Sequence, residues 1–494
     1  MPGGWAFLGY LPKYAKEGPM SFNPFSAILR SFLQHDSLPF ADVLSEATIQ
    51  RIANEAGVPC EPPSNGNGSD TGNGIIYTAA VTLWAFLSQV LHHDQHRSCT
   101  AAVARVVTLC LALNRTPPSP DTGVYCRARR RLPTELVQRL TYHIADEAER
   151  LVPERWLWKK RHVKLIDGTM VSTPDTPELQ EAYPQPSSQR KGVGFPLIRM
   201  VALLSLATAM VHGMAMGPGQ GKETGETALF RQLLDRLKSG DVVVGDRYYC
   251  SYFMIALLRA RGVDCVTRLH QRRTADFRSG RRLGQGDHVV TWPRPERPEW
   301  MDEATYDAMP ESLEIRELHV QVNRPGYRVQ SLIVVTTLTD ADEYTHGDIA
   351  SLYHQRWLVE LDMRSLKIAM RMDVLRCKTP AMVEKEIWVC LLAYNLIRQS
   401  MLQAASLAKR SPRQLSFTTA LQRIAESCST TLFMAEAQRF ATIRASHRAM
   451  TAKIVGNRPG RNEPRKVKQR PKPHPLLTRP RNEERAELLA GNAA

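Results

Sequence analysis

Between residues 353 and 370 the chain reads YHQRWLVELDMRSLKIAM. Advancing 100° per residue along a helix gathers Tyr353, Arg356, Glu360, Arg364 and Lys367 into one stripe about 80° wide. Leu352, Val359, Met363, Leu366 and Met370 form the neighbouring stripe. Such a helix packs by its apolar side and aims one carboxylate, set among cations, along the edge of the contact. Glu and Arg four residues apart are also ordinary surface pairs, so the stripe alone fits a solvated face as well as a site for an anionic ligand. Two further carboxylates alter the balance. Asp167 closes HVKLID and Asp246 closes DVVVGD, both read as short strands, and ligands of open α/β sheets gather beyond the carboxyl ends of strands. Either aspartate alone would read as a turn or capping residue. Three carboxylates brought together repel one another unless they share a cation. Mg²⁺ prefers oxygen ligands and bridges carboxylates to phosphate, and the cations beside Glu360 would suit phosphates lying across it. Competing acids are less well placed. Asp175 lies in the turn TPDTP, Asp241 and Asp264 open their strands, and Asp362 points away from Glu360 on the helix.

The elements that must position these residues follow an order along the chain. Residues 1–38 form an N-terminal extension, whose opening MPGGWAFLGYLPKYAKEGP shows neither helix nor strand period. Residues 39–150 are helical in pattern: YTAAVTLWAFLSQVL and TAAVARVVTLCLALN keep a 3.6-residue apolar period, and Pro133 opens a third helix. Within this stretch SPDTGVYCRARRRLP puts Arg127, Arg129, Arg130 and Arg131 on a short helix, suited to DNA phosphates or else a solvated cationic turn. From 151 to 269 strands alternate with helices, an α/β core. A β-rich insertion at 270–345 interrupts that core, which resumes at 346–410 with the helix of Glu360. A C-terminal helical region, 411–452, precedes a basic tail, 453–494. Residues 453 to 482 carry ten Lys/Arg against one Glu and cannot bury enough apolar surface to order themselves.

Bulk composition narrows the partner. At 494 residues with a formal charge of +16, the protein is a multidomain chain suited to a polyanion, nucleic acid ahead of an anionic membrane surface. Its longest apolar stretch, VALLSLATAMVHGMAMG, is too short to span a bilayer as a helix, so no membrane role is expected. Nine cysteines without a CxxC pair suit reduced thiols in the cytoplasm. HHDQHRSC reads as a polar loop whose Ser98 caps the next helix, with zinc held by His92, His93, His96 and Cys99 as the alternative.

The spacing Y-x2-R-x3-E-x6-K at Tyr353, Arg356, Glu360 and Lys367 resembles the signature of DDE transposases of the insertion-sequence-four family, which includes the Tn-five and Tn-ten enzymes. The resemblance extends to DGT at Asp167, GDRYYCSYF at Asp246, the β insertion and TGVYCRARRRLP, covering most of residues 40 to 450. The acids are separated by 246 − 167 = 79 and 360 − 246 = 114 residues. This resemblance implies a ribonuclease-H-like catalytic core in which Asp167, Asp246 and Glu360 are catalytic and hold two Mg²⁺ ions, with Mn²⁺ able to substitute. In the two-metal scheme water nicks a transposon end, and the freed 3′-hydroxyl then attacks target DNA in the same site. Tyr353, Arg356 and Lys367 would grip the phosphates, with Arg364 beside them. Arg247, Arg127 and Arg130 are further DNA-binding candidates, and Trp292 or Trp300 of the insertion would stack on a displaced base. The implied partners are transposon ends, target DNA and a second copy of the chain in a synaptic complex. A transposase-derived repressor without catalysis, or a general nuclease, are the alternatives.

Overall fold

The amphipathic segments of the N-terminal half become five helices: α1 (Glu46–Glu55), α2 (Ala79–Val90), α3 (Cys99–Ala112), α4 (Thr122–Arg131) and α5 (Thr134–Arg150). The structure, a computed structural model, describes residues 46–55, 57, 76–112, 116–322, 331–430, 436–455 and 475–491. The extension 1–38 and the tail stretch 456–474 lie outside the described residues. Caps set the helix entrances: the Thr78 hydroxyl accepts from the Val81 amide, and Ser98 accepts from Ala101 at 3.1 Å, as its sequence position anticipates. Trp84, Val106, Leu109 and Tyr125 close a small core among α2, α3 and α4.

Strands β1 (Val163–Ser172), β2 (Leu197–Ser205) and β3 (Val211–Pro218) form an antiparallel meander, with α6 (Pro177–Ala182) in the β1–β2 connection. After α7 (Glu226–Arg231), β4 (Val242–Val244) pairs parallel to β1; after α8 (Tyr252–Arg259), β5 (Asp264–Arg268) pairs parallel to β4. The segment 270–345 contributes β6 (Arg281–Gly284), β7 (Asp287–Pro293), α9 (Glu303–Asp307), β8 (Ser312–Gln321) and β9 (Ser331–Thr336). These strands extend the sheet of the core: β9 pairs antiparallel with β5, giving one nine-stranded order β3-β2-β1-β4-β5-β9-β8-β7-β6.

Side-chain alternation divides the interior. Leu165, Met200, Leu204, Val242 and Val244 point to one face, Ile166, Val201, Leu203 and Val243 to the other. The first face is covered by α5 and by the helices after the insertion, α10 (His346–His354), α11 (Leu358–Arg364) and α12 (Pro380–Leu407). The second is covered by α7 and α8 through Phe230, Phe253 and Ile255. Helices α13 (Phe417–Thr430), α14 (Glu436–Ala452) and α15 (Arg481–Gly491) complete the chain. No helix among the described residues is long and apolar enough to cross a membrane.

Three expectations need correction. Strand β1 does not stop at Asp167 but runs five residues further, because its antiparallel pairing with β2 continues through Asp167↔Ala202 to Ser172↔Leu197. The helix around Glu360 is not uniform: a 3₁₀ turn, Gln355–Trp357, precedes α11 and a π turn, Ser365–Ala369, follows it. The tighter and the wider turn change the phase in opposite senses, so Leu352, Val359, Met363, Leu366 and Met370 are still all buried. Lastly, α15 lies in the tail expected to stay unordered, where Glu483 pairs with Arg190 and Glu484 and Glu487 pair with Arg479.

Candidate active site

Asp167 sits where β1 keeps its antiparallel neighbour and loses its parallel one. The β1–β4 pairing runs from Val163↔Val242 to Leu165↔Val244, an offset of 79 residues, after which β4 ends. Carried two residues on, that offset sets Asp167 opposite Asp246. Asp246 caps the 3₁₀ turn Arg247–Tyr249, accepting from the Tyr248 amide at 2.8 Å, while Asp167 accepts from its neighbour Gly168 at 2.9 Å.

The third acid arrives from the helical side. A reciprocal box between Thr345 and Asp348 starts α10, and the buried stripe then seats α11 against β1. Glu360 accepts from Arg356 Nη2 at 2.9 Å, and Arg356 Nη1 lies 4.0 Å from Asp167 Oδ2. One guanidinium therefore stands between the strand acid and the helix acid. Lys367 reaches the same strand just past Asp167, its Nζ donating to Met170 O at 2.8 Å and Thr169 Oγ1 at 3.2 Å. Tyr353 is buried, and burial pushes its phenol up to about 12, so it stays a neutral hydrogen-bond donor.

Residues 158–396 match the family described as Transposase DDE domain. Transposase InsG of insertion sequence element IS4, from Escherichia coli (strain K12), is 30% identical over 327 residues, covering 65% of this chain and 68% of that protein. The chain belongs to the IS4 family of DDE transposases. It is thus a polynucleotidyl-transferase and nuclease by family. The putative transposase InsZ of the same organism is 27% identical over 139 residues, 28% of this chain and 45% of that one. Among solved structures, piggyBac transposase in a synaptic complex with hairpin DNA aligns over 87% of this chain and 88% of that one at 10% identity, with a TM-score of 0.41, too low to bear on the fold.

Around the transposase's acids the charges are uneven. Asp167 is pushed up to about 6, first by burial, with Asp246 and Glu226 adding repulsion and Arg356 and the Gly168 amide opposing them. Glu226 was not singled out in the sequence, because a glutamate in the first turn of a helix is an ordinary partner of the helix dipole. As they stand, no three His, Cys, Asp or Glu side chains among the described residues converge closely enough to cage one ion. The competing acids serve the fold: Asp175 accepts from Gln180, Asp241 from the Lys238 amide, and Asp264 from Arg161 and Thr337. Asp362, 2% exposed, is clamped by Arg398 and Arg413 at 2.9 Å each.

The DNA-binding candidates divide by exposure. Arg127 and Arg130 are exposed on α4, as is Arg364 beyond Glu360, and the half-buried Arg247 donates to Gln271 at 3.0 Å. Arg129 turns inward instead, its guanidinium 4.7 Å from the Phe86 ring centroid and bonded to Gln89. Trp292 needs correction as a base-stacking candidate: it is buried, its indole donates to Glu317 at 3.1 Å, and the Arg273 guanidinium lies 3.9 Å from its ring centroid. Trp300 is 37% exposed, with Arg231 over its ring.

Proposed function

We propose that this transposase cuts the inverted-repeat ends of its own element and joins them to target DNA, with Asp167, Asp246 and Glu360 as the acids of the reaction. The observation that carries this reading is the identity between the parallel register and the spacing of the aspartates, with Arg356 linking the first of them to Glu360. The order β3-β2-β1-β4-β5, three antiparallel strands followed by two parallel ones, supports a ribonuclease-H-like core.

The donor set suits hard divalent cations. It is made of carboxylate oxygens, one of them burdened by burial and by two neighbouring acids, and a guanidinium already stands among them. Asp167, Asp246 and Glu360 would hold two Mg²⁺ ions, or Mn²⁺ in their place, and when bound these would supply charge stabilisation to the attacking and leaving oxygens.

The chain's own cations orient the substrate. A phosphate competes well with Glu360 for the fork of Arg356, because guanidinium pairs with phosphate through two parallel bonds. Drawing Arg356 away frees Glu360 and relieves Asp167 of its nearest cation as DNA arrives. Lys367 adds a point charge beside β1, and Tyr353 offers its neutral phenol to a phosphate oxygen. Synapsis of two ends calls for a homodimer.

The test is incubation of the protein with end-bearing duplex and Mg²⁺, followed by denaturing gels. The wild type is expected to nick at the ends, and Glu360→Gln to bind the same duplex without nicking it. Wild-type protein that retards the duplex and leaves it intact would establish a repressor instead, and cutting indifferent to end sequence would establish a general nuclease.

A further inference from the structure

Of the seven cysteines whose side chains are described, five are buried; Cys99 and Cys126 are half-exposed and in contact, their sulfurs 3.8 Å apart. Cys99 is the first residue of α3, and Cys126 lies on the basic helix α4 directly before Arg127. A disulfide holds its sulfurs about 2.0 Å apart, so closure asks for an approach of about 1.8 Å. Gln89 of α2 spans the two sides of the gap. Its Nε2 lies 3.9 Å from Cys99 Sγ and donates to Arg97 O at 2.8 Å, while its Oε1 accepts from the Tyr125 hydroxyl and from Arg129 Nη1 at 3.2 Å. The far end of α4 is held separately, by Lys385 at the carbonyls of Arg129 and Arg130. Drawing the sulfurs together therefore pulls in the first turns of α4 about a fixed end, and Arg127 moves with them.

We infer that Cys99 and Cys126 are a reversible redox pair, closed to a disulfide by peroxides, whose closure resets the basic helix α4 and lowers the protein's affinity for duplex DNA. The effect on affinity rests on reading Arg127 and Arg130 as phosphate contacts; the bond itself does not. Two thiols serving only as small apolar filler belong in the interior, where the other five lie. Burial raises the proton affinity of the Cys99 thiol, with the Cys126 thiol adding to it and the Arg129 guanidinium opposing. Cys99 is thus slow to ionise, which leaves the first attack to Cys126. The Cys126 thiolate takes one oxygen of hydrogen peroxide: an S–O bond forms, the O–O bond breaks, and the departing hydroxide collects a proton to leave as water. The Cys99 sulfur then attacks the sulfenic sulfur of Cys126, the S–S bond forms, the S–O bond breaks, and a second water leaves. Two thiols have lost two electrons and the peroxide has gained them. A dithiol reductant reverses the change by exchange.

The test treats the full-length protein with hydrogen peroxide, blocks remaining thiols by alkylation, and reads a non-reducing digest by mass spectrometry. A linked peptide joining Cys99 to Cys126 is expected, lighter by two hydrogens than its separate parts and absent after dithiothreitol; this step needs no variant to fold. In a gel shift the oxidised protein should bind end-bearing duplex about threefold more weakly or worse, as for the loss of about one phosphate contact, and recover with dithiothreitol. Cys126→Ser, which cannot close the bond, should keep its affinity through the same treatment. Absence of the linked peptide would overturn the proposal, as would an equal fall in affinity for wild type and Cys126→Ser. A linked peptide with unchanged affinity would overturn the coupling to α4 if Arg127→Ala with Arg130→Ala still weakens binding of the reduced protein. Should that double variant also leave binding unchanged, the phosphate reading of α4 falls and the switch falls with it.

Discussion

Replacing Asp167 by asparagine should make the metal-free transposase more stable at neutral pH while removing its chemistry. Burial raises this carboxyl from the ordinary aspartate value of 3.8 to about 6, with Asp246 and Glu226 adding to the rise. The folded protein therefore binds the proton more tightly than the unfolded chain. Its favourable contribution is complete below about pH 4, declines between there and about pH 6, and is gone above, where folding must carry the charge. At about 1.4 kcal/mol for each tenfold in proton affinity, the cost near neutral pH is about 3 kcal/mol. The side chain is only 22% exposed, so solvent screens little of this. Asparagine keeps the shape and removes the charge. Urea unfolding in chelator should show Asp167→Asn ahead of wild type by about that amount near pH 7 and level with it near pH 4. Millimolar Mg²⁺ should narrow the gap by stabilising only the wild type. Equal stability of the two proteins at every pH, or a variant weaker near neutrality, would refute the idea that the acids are crowded.

Other substitutions probe the support of the site. Asp362→Asn should lower stability by about 3–5 kcal/mol, read as a lower urea midpoint, because it strips the charge from between two buried guanidiniums. Lys367→Ala should weaken end binding and lower the slope of log affinity against log salt by about one; an unchanged slope would mean the side chain only ties the helix to Thr169 and Met170. Arg127→Ala with Arg130→Ala should weaken binding to all duplexes alike in a gel-shift assay with the melting temperature kept. Arg129→Ala should instead lower the melting temperature, since that guanidinium packs on Phe86 and Tyr125.

What the sequence could disclose depended on how local the cause was. The stripe of Leu352, Val359, Met363, Leu366 and Met370 was legible because helical periodicity is set within one segment, and the two irregular turns offset one another. The inward turn of Arg129 was not legible: the sequence set it with Arg127 and Arg130 on one cationic helix, and its place is fixed by Phe86 and Gln89 of α2, which no pattern within α4 names. The place of Asp167 within β1 was not, since it depends on β2, whose pairing partner no local pattern names. Trp292 and Trp300 could not be told apart for the same reason. Their difference comes from Glu317 and Arg273 around the first and Arg231 over the second.

Helix α12 accounts for how such distant pieces hold one geometry. Arg398 on this helix pins Asp362, two residues from Glu360. Lys385 donates to the carbonyls of Arg129 and Arg130, satisfying free acceptors at the end of the basic helix α4. Glu386 is paired with buried Arg97 of the N-terminal helices, and Asn395 bonds to both the amide and the carbonyl of Val211 at the start of β3. The Lys385 bonds are part-buried and the others buried, so moving the helix would leave polar groups unpaired away from water. The acid-bearing helix, the basic helix and the sheet are therefore referred to one rigid element rather than to loops. In-line displacement at a phosphodiester needs that kind of reference, because small misplacement of the reacting groups costs orders of magnitude in rate.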